Sequence, residues 1–260
     1  MGRYLFLLRF EAKNIFRDSI NIYMCVFPLV ILMLASFVFP RILDRMEGIG
    51  LEITMMIMLI IILIFGSFFL AAMATFLLLD NKDDNTLNTV AVTPIGTSGY
   101  IIFKMTYIYI MTVISTIIIL WGTKLIAGDR YSIGGVSLFD RLNLFQIIVF
   151  AFAAGLFTPA MALFQSAMAK NKIEGFALIK GSGMIAMVPA LMIMNTFEGG
   201  MQYVLGIFPN FWAVKGLMME LIPNNNSANL SFFVYIFIGA VYNILILVVT
   251  YRLFLKKVKY

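Results

Sequence analysis

Long apolar runs dominate the chain, and short polar segments separate them. A helix that crosses a membrane needs about 20 consecutive, mostly apolar residues. Six stretches meet this requirement: 20–40, 53–79, 101–121, 144–169, 176–195 and 230–251. The pattern therefore predicts an all-α integral membrane protein, with six transmembrane helices in a single domain over residues 1–260.

The residues that precede the first apolar stretch have a different pattern. Arg9, Lys13 and Arg17 recur every four residues, and apolar residues recur on another face of the same helix. Two stripes with the helical period are typical of an amphipathic helix that lies in the membrane interface. We predict such an interfacial helix over residues 3–18; the alternative is a frayed, charged N-terminus.

A second unusual segment, residues 196–229, lies before the last apolar stretch. It is apolar and aromatic, but glycines and prolines interrupt it. Irregular backbone is tolerated at membrane depth only where it packs against protein or lines a cavity. The segment predicts two short helices that dip into the outer leaflet and return, a broken re-entrant segment; the alternative is a plain surface loop.

Composition narrows the class of protein. Hydrophobic residues make up 62% of the chain and charged residues 12%, whereas soluble domains average about 45–50% and about 25%. These values argue against a soluble enzyme and against a nucleic-acid partner. The chain has no histidine and a single cysteine, Cys25, so histidine catalysis, cysteine zinc sites and internal disulfides are excluded.

The distribution of lysine and arginine predicts the orientation. Of the 19 lysines and arginines, 13 lie at the two termini or in the loops that follow the second and fourth stretches. Cytoplasmic loops carry such an excess. We therefore predict a multi-pass protein of the cell membrane, bacterial in origin, with both termini in the cytoplasm and contacts to lipid around the spans.

Few residues in the apolar stretches could carry chemistry. Lys104 and Lys180 lie near the ends of stretches, where we expect both to reach the cytoplasmic interface. No carboxylate lies in the middle of a stretch, which disfavours an ion-coupled carrier. The phosphate-binding P-loop motif is also missing from the sequence. If ATP drives the protein, another polypeptide must therefore bind it.

The most informative polar segment is Asp80–Tyr100, between the second and third stretches. Asp83, Asp84 and Asn85 can cap the start of a helix, and Pro94 ends it. The segment predicts a short helix over 86–92 across the cytoplasmic end of two spans, with Thr97 or Ser98 capping the next helix. The alternative is a capped surface loop.

This segment resembles the first cytoplasmic loop of the ABC-2 type transporter permeases. The shared positions are Lys82-Asp83-Asp84-Asn85-Thr86-Leu87, then Thr93-Pro94, then Tyr100 and Lys104. Asn85 stands where the family usually has glycine, and an aspartate stands where it usually has glutamate. The layout of interfacial helix, six spans and broken segment resembles the family over the whole chain.

The resemblance implies partners and a mechanism. In this family two permease chains, identical or related, pair above two ABC ATPase subunits, which bind the ATP and Mg²⁺; the permease itself binds no cofactor and is not an enzyme. A coupling helix in the loop docks on the ATPase, and this implies contacts by Lys82, Asp83, Asp84, Asn85, Thr86, Leu87, Thr93 and Pro94. The helix carrying Arg9, Lys13 and Arg17 would brace the contact, and the loop 170–174 would make a smaller one. Leu87→Asp would then abolish docking.

The function that this implies is ATP-driven export. The 19 methionines and 25 phenylalanines favour a hydrophobic drug, an antimicrobial peptide or a lipid-like substrate, because methionine-rich surfaces adapt to varied apolar ligands. Two alternatives stay open: a channel or carrier that works without an ATPase, and a membrane immunity protein that binds a toxic peptide without moving it.

Overall fold

The computed structural model describes residues 19–84, 86–197, 199–222 and 230–258. The predicted interfacial helix over 3–18, with Arg9, Lys13 and Arg17, and the site residue Asn85 lie outside these described residues. The α-helices are α1 Ser19–Met33, α2 Phe39–Leu43, α3 Gly48–Asp83, α4 Thr86–Ala91, α5 Gly96–Ala127, α6 Leu144–Gly155, α7 Phe157–Met168, α8 Lys172–Ala186, α9 Phe211–Leu221 and α10 Phe232–Val258.

Within the described residues, six helical segments are long and apolar enough to cross a membrane. They are Val26–Leu43, Gly48–Asp83, Gly96–Arg130, Leu144–Met168, Lys172–Ile193 and Phe232–Lys257. The prediction of an all-α integral membrane protein with six spans is confirmed.

The first span is not one regular helix. α1 passes through a π-helical turn, Leu34–Val38, into α2. A π-turn displaces backbone carbonyls from their usual partners, and the carbonyl oxygen of Ala35 accepts a hydrogen bond of 2.5 Å from the hydroxyl of Tyr131. The turn thereby fastens the first span to the loop that follows α5.

The second and third spans extend well beyond their apolar stretches. α3 has 36 residues and α5 has 32, so at 1.5 Å per residue each is about 50 Å long, against a hydrocarbon core of about 30 Å. Helical hydrogen bonding continues into polar sequence, and both helices therefore project beyond the predicted limits 53–79 and 101–121. Their projecting ends carry the segment that contains α4.

Prolines divide the fourth and fifth spans. The predicted span 144–169 is two helices, α6 and α7, that meet at Leu156. Pro159 has no N–H, so the carbonyl of Gly155 lacks its helical donor and the helix breaks. Likewise α8 ends at Ala186, and the chain continues as a 3₁₀ helix, Val188–Ile193, with Pro189 near its start.

The segment before the last span is broken and packed against the bundle. It consists of two 3₁₀ helices, Asn195–Phe197 and Gly199–Ile207, followed by α9; one of the two predicted short helices is therefore 3₁₀ rather than α. Asn210 donates a hydrogen bond of 2.5 Å to the carbonyl of Ala186. Eight of the eleven residues of α9 are buried, which the alternative of a plain surface loop does not explain.

The structure also contains a small hairpin that the sequence analysis missed. Ser132–Ile133 (β1) pairs antiparallel with Val136–Ser137 (β2). The turn residues Gly134 and Gly135 have φ of 60° and 80°, a left-handed conformation that glycine adopts without steric cost. A Gly-Gly pair between two short β-prone segments was the available indication.

Among the residues that the structure describes, the buried apolar side chains form two clusters. The larger packs around α3 and includes Tyr131, Phe139, Phe150, Phe157 and Phe211. The smaller, which we name the α4 anchor cluster, lies below α4 and joins α3, α5, α7 and α10. Its buried members are Leu70, Ala74, Leu77, Leu78, Leu87, Tyr100, Ile101, Met105, Ile108, Ala162, Leu163, Ala167 and Phe254.

Candidate functional site

The short helix α4 forms between the projecting ends of α3 and α5, as the sequence predicts. After α4 the chain turns, with the N–H of Thr93 donating to the carbonyl of Val90 at 3.0 Å. α5 then begins at Gly96, which has a φ of +64°. The expectation that Thr97 or Ser98 caps α5 is wrong, because the helix starts before them at an N-cap without a side-chain hydrogen bond.

Leu87 points into the protein rather than toward a partner. Its side chain is 4% exposed and belongs to the α4 anchor cluster. The expectation that Leu87 enters a groove on another subunit is therefore wrong, because its apolar side chain is already buried against its own chain. The outward side of α4 carries Asn88 and Thr89, and Val92, just beyond its end, is 87% exposed.

Lys82 is also held within the chain. Its ammonium group donates hydrogen bonds to the carbonyls of Ser166, at 3.0 Å, and Ala169, at 2.8 Å. These carbonyls lie at the end of α7, where a cation interacts favourably with the helix dipole. Lys82 therefore joins α3 to α7, whereas Asp83 and Asp84 are exposed.

A second link joins α3 to α8. Lys172 forms an ion pair with Asp80. Asn171 caps α8 by accepting a hydrogen bond from the N–H of Glu174, and the Glu174 carboxylate accepts one from the N–H of Lys170. The loop 170–174 is thus fixed against the same end of α3 that carries α4.

Deeper in the bundle, a chain of polar side chains connects the same three helices. The hydroxyl of Thr75 on α3 lies 2.5 Å from the carbonyl oxygen of Gln165 on α7. The amide of Gln165 donates to the hydroxyl of Ser182 on α8, also at 2.5 Å. All three side chains are buried. The sequence analysis missed this network, although polar residues inside otherwise apolar spans were visible in it.

The two lysines near span ends behave differently. Lys104 is 6% exposed, with its ammonium 5.1 Å from the ring of Tyr100, so the expectation that it reaches the interface is wrong. Lys180 is exposed and lies over the ring of Phe176 at 4.5 Å. Ser182, two residues further on, faces inward.

A cavity of about 350 Å³ opens between α5, α7 and α10. Its walls include Thr106, Tyr109, Leu163 and Tyr251, and none of its ten lining residues is charged. Within the described ranges, no three His, Cys, Asp or Glu side chains are grouped so that they could hold a metal ion. The site therefore offers an exposed surface, contacts that link the helices and an apolar cavity.

Comparisons with known proteins agree with this description. The family model described as "Fluoroquinolones export permease protein Rv2686c-like" matches residues 11–251. Two curated relatives are named fluoroquinolones export permease protein, MT2760 of Mycobacterium tuberculosis strain CDC 1551 / Oshkosh and Rv2686c of strain ATCC 25618 / H37Rv. Each is 25% identical over 254 residues, which covers 96% of this chain and 92% of the relative.

No solved structure matches the chain. The family match covers far more than half of the sequence, and it confirms the recognition of an export permease that the resemblance of the cytoplasmic loop implied. This makes the chain the membrane-embedded subunit of an exporter rather than an enzyme. The chain belongs to the Rv2686c-like family of fluoroquinolone export permease proteins.

Proposed function

We propose that this chain is the permease subunit of an ATP-driven ABC exporter of the ABC-2 type. A separate ABC ATPase subunit would bind the ATP and Mg²⁺. The observation that carries the proposal is the arrangement of α4, which is anchored through Leu87 and leaves Val92 87% exposed. A single exposed apolar side chain is normal on a protein surface, so the weight of the proposal lies on its place in the segment that resembles the coupling loop of the ABC-2 permeases.

The docking surface that we infer is the outward side of the α4 segment. It consists of Asp83, Asp84, Asn88, Thr89, Val92, Thr93 and Pro94, all of which are exposed. Ile173, in the neighbouring loop, is 83% exposed and extends the surface. Leu87 and Lys82 are removed from the predicted contact set, because their side chains bind within the chain.

Movement of the docked α4 can reach the spans through direct contacts. Leu87 connects α4 to the α4 anchor cluster. At the neighbouring end of α3, Lys82 binds the end of α7, and Asp80 forms the ion pair with Lys172 of α8. ATP binding can shift the equilibrium between two arrangements of the spans only if the ATPase contacts the two arrangements differently. The outward side of α4 is the part of the chain that we propose makes this differential contact.

A second permease chain, the same or related, would complete the membrane part. The proposed pairing surface is one side of α8, where Ala177, Lys180, Gly181 and Met184 are exposed. Small residues allow the backbones of two helices to approach closely.

The substrate that we propose is a hydrophobic drug. The curated relatives are named for fluoroquinolones, which favours a drug over the antimicrobial peptides and lipid-like molecules that the sequence left open. We place both termini in the cytoplasm of a bacterial cell, because 13 of the 19 lysines and arginines lie on that side. We also propose that residues 1–260 form one membrane domain, since the family match runs from 11 to 251.

Purification of the tagged chain from its native membrane in a mild detergent tests the proposal. We expect an ABC ATPase to co-purify in an amount equal to that of the permease. If the permease is folded and oligomeric but no ATPase accompanies it, the proposal is wrong. A channel or carrier would then be favoured if drug still crosses vesicles, and an immunity protein if drug binds without crossing.

A further inference from the structure

The cavity between α5, α7 and α10 is next to the break in the fourth span. Pro159 and Leu156, the residues at the break, line one wall. On the outer rim, Ile102 is 53% exposed and Val248 is 44% exposed. Both belong to membrane-spanning helices, so the cavity opens sideways, toward lipid, rather than into water.

The size of the cavity suits a small molecule. From Ile102 to Tyr109 its wall follows eight residues of α5, or about 10 Å along the helix axis. Its volume of about 350 Å³ lies within the range of roughly 300–1,000 Å³ that is usual for small-molecule sites. On the side that carries α4, α5 begins and α10 ends. The lining residues 102–109 and 247–251 lie near these helix ends, so the opening lies in the inner-leaflet half of the proposed orientation.

The chemistry of the walls defines the class of ligand. Three of the lining side chains have hydroxyl groups, and each already has a partner within the chain. Tyr109 donates to the carbonyl of Phe152 at 3.0 Å, and Thr106 donates to the carbonyl of Ile102 at 2.9 Å. The hydroxyl of Tyr251 lies 2.5 Å from that of Ser98. A ligand would therefore meet apolar atoms and aromatic rings rather than free polar groups.

We propose that this cavity binds a flat, mostly apolar aromatic molecule of drug size, taken up from the inner leaflet. The inference rests on the proposed function, since it assigns the substrate a place on the permease. Aromatic rings stack against tyrosines in offset or edge-on geometry, which favours a flat ring system. The absence of a charged lining residue disfavours a ligand whose buried part carries a net charge.

The position of the cavity also connects ligand binding to α4. Leu163 and Met105 line the cavity and belong to the α4 anchor cluster, which includes Leu87. Tyr251 lines the cavity as well, and its hydroxyl contacts Ser98 in the first turn of α5, directly after the α4 segment. A ligand that moves these side chains would therefore affect the helix on which we expect the ATPase to dock.

The test is the affinity of norfloxacin, a flat fluorescent fluoroquinolone, for the purified permease in detergent without ATP. Thr106→Trp fills the cavity from α5, and Val248→Trp fills it from α10. Ile114→Trp is the matched control, because Ile114 is on α5 and 47% exposed but does not line the cavity. We expect at least tenfold weaker binding by each cavity variant that elutes as a folded, monodisperse protein, and an unchanged affinity for Ile114→Trp.

Equal norfloxacin affinity of the wild type and both cavity variants would overturn the inference. The inference would also be overturned if a phospholipid co-purified with the wild type but not with the cavity variants, while the drug affinities were equal. The occupant would then be an acyl chain. ATP-driven drug uptake into vesicles separates this result from the proposed function. If the wild type takes up drug with ATP but the cavity variants bind the drug as tightly as the wild type, only the cavity proposal is refuted. If the cavity variants bind more weakly but the wild type shows no ATP-driven uptake, the exporter proposal is refuted and the binding site is supported.

Discussion

The ammonium group of Lys82 lies 2.8 Å from the carbonyl oxygen of Ala169, which is 87 positions further along the chain. This contact joins the end of α3 to the end of α7, directly beside α4. The family resemblance implies that Lys82 contacts the ATPase partner, but in the structure Lys82 links two helices of the permease itself. Its position between α4 and the broken fourth span makes it a candidate for transmitting movement.

Lys82→Met should uncouple the transporter without releasing its partner. Methionine keeps the length of the side chain but cannot donate to Ser166 and Ala169, and we expect a stability loss of about 1 kcal/mol. ATP-driven drug uptake should fall at least tenfold, while the ATPase still co-purifies. Lys256→Met, an exposed lysine near the end of α10, is the control. Normal uptake by Lys82→Met would show that this link is not used.

Leu87→Ala should loosen α4 from the bundle. Truncation of a buried leucine costs about 2–5 kcal/mol, and Leu87 is 4% exposed within its cluster. We expect a clear fall in the melting temperature of the purified protein. Val92→Ala, at an 87% exposed position, should change the stability by less than about 0.5 kcal/mol. Equal melting temperatures for the two variants would contradict the inward orientation of Leu87.

Lys215, on α9 and outside the six spans, should make stability depend on pH. Burial lowers the pKa of this lysine from 10.5 to about 8, and its side chain is 1% exposed. The folded protein then releases the proton near pH 8, whereas the unfolded chain keeps it until about 10.5. Between these values the unfolded state binds more protons, so stability increases with pH, by at most about 3 kcal/mol.

The measurement is the melting temperature between pH 7.5 and 9.5. The wild type should become more stable across this window, and Lys215→Met should lack the rise. Burial raises the pKa of Tyr131, so this tyrosine stays protonated in the folded protein throughout the scan. An identical pH profile for the wild type and Lys215→Met would show that Lys215 does not titrate in this range.

The exposed side of α8 should lie close to the same side of a second chain. We expect Met184→Cys, in a Cys25→Ser background that removes the one native thiol, to form a disulfide-linked dimer on mild oxidation. Met184 is 82% exposed, whereas Ile179 on the opposite side is 8% exposed. Ile179→Cys is therefore the matched control and should stay monomeric on a denaturing gel. Equal cross-linking of both variants, or of neither, would refute pairing through α8.

The number of spans and the position of α4 could be predicted from the sequence because both depend on local patterns. Apolar runs of about 20 residues identify spans, and Pro94 ends the short helix. The limits of α3 and α5 could not be predicted in this way. Hydropathy reports where a helix meets lipid, whereas the polar residues Asp80–Asp83 remain helical beyond it.

The orientation of individual side chains depended on tertiary packing. Leu87 and Lys104 face the interior because the anchor cluster and Tyr100 lie there. For Leu87, the six-residue α4 has too short a pattern to indicate this. The partners of Lys82, Gln165 and Ser182 lie in other helices. Their hydrogen bonds therefore could not be read from spacing along the chain.

The central claim is that an ATPase docks on the outward side of α4, and Val92→Asp tests it most directly. Val92 is 87% exposed and Leu87 is buried, so the substitution should leave the fold intact while placing a charge in the docked surface, where burial is costly. We predict that the purified variant has the melting temperature of the wild type but retains less than a tenth of its ATPase, while the matched variant Val92→Thr retains most of it. Full retention of the ATPase by folded Val92→Asp would contradict the account.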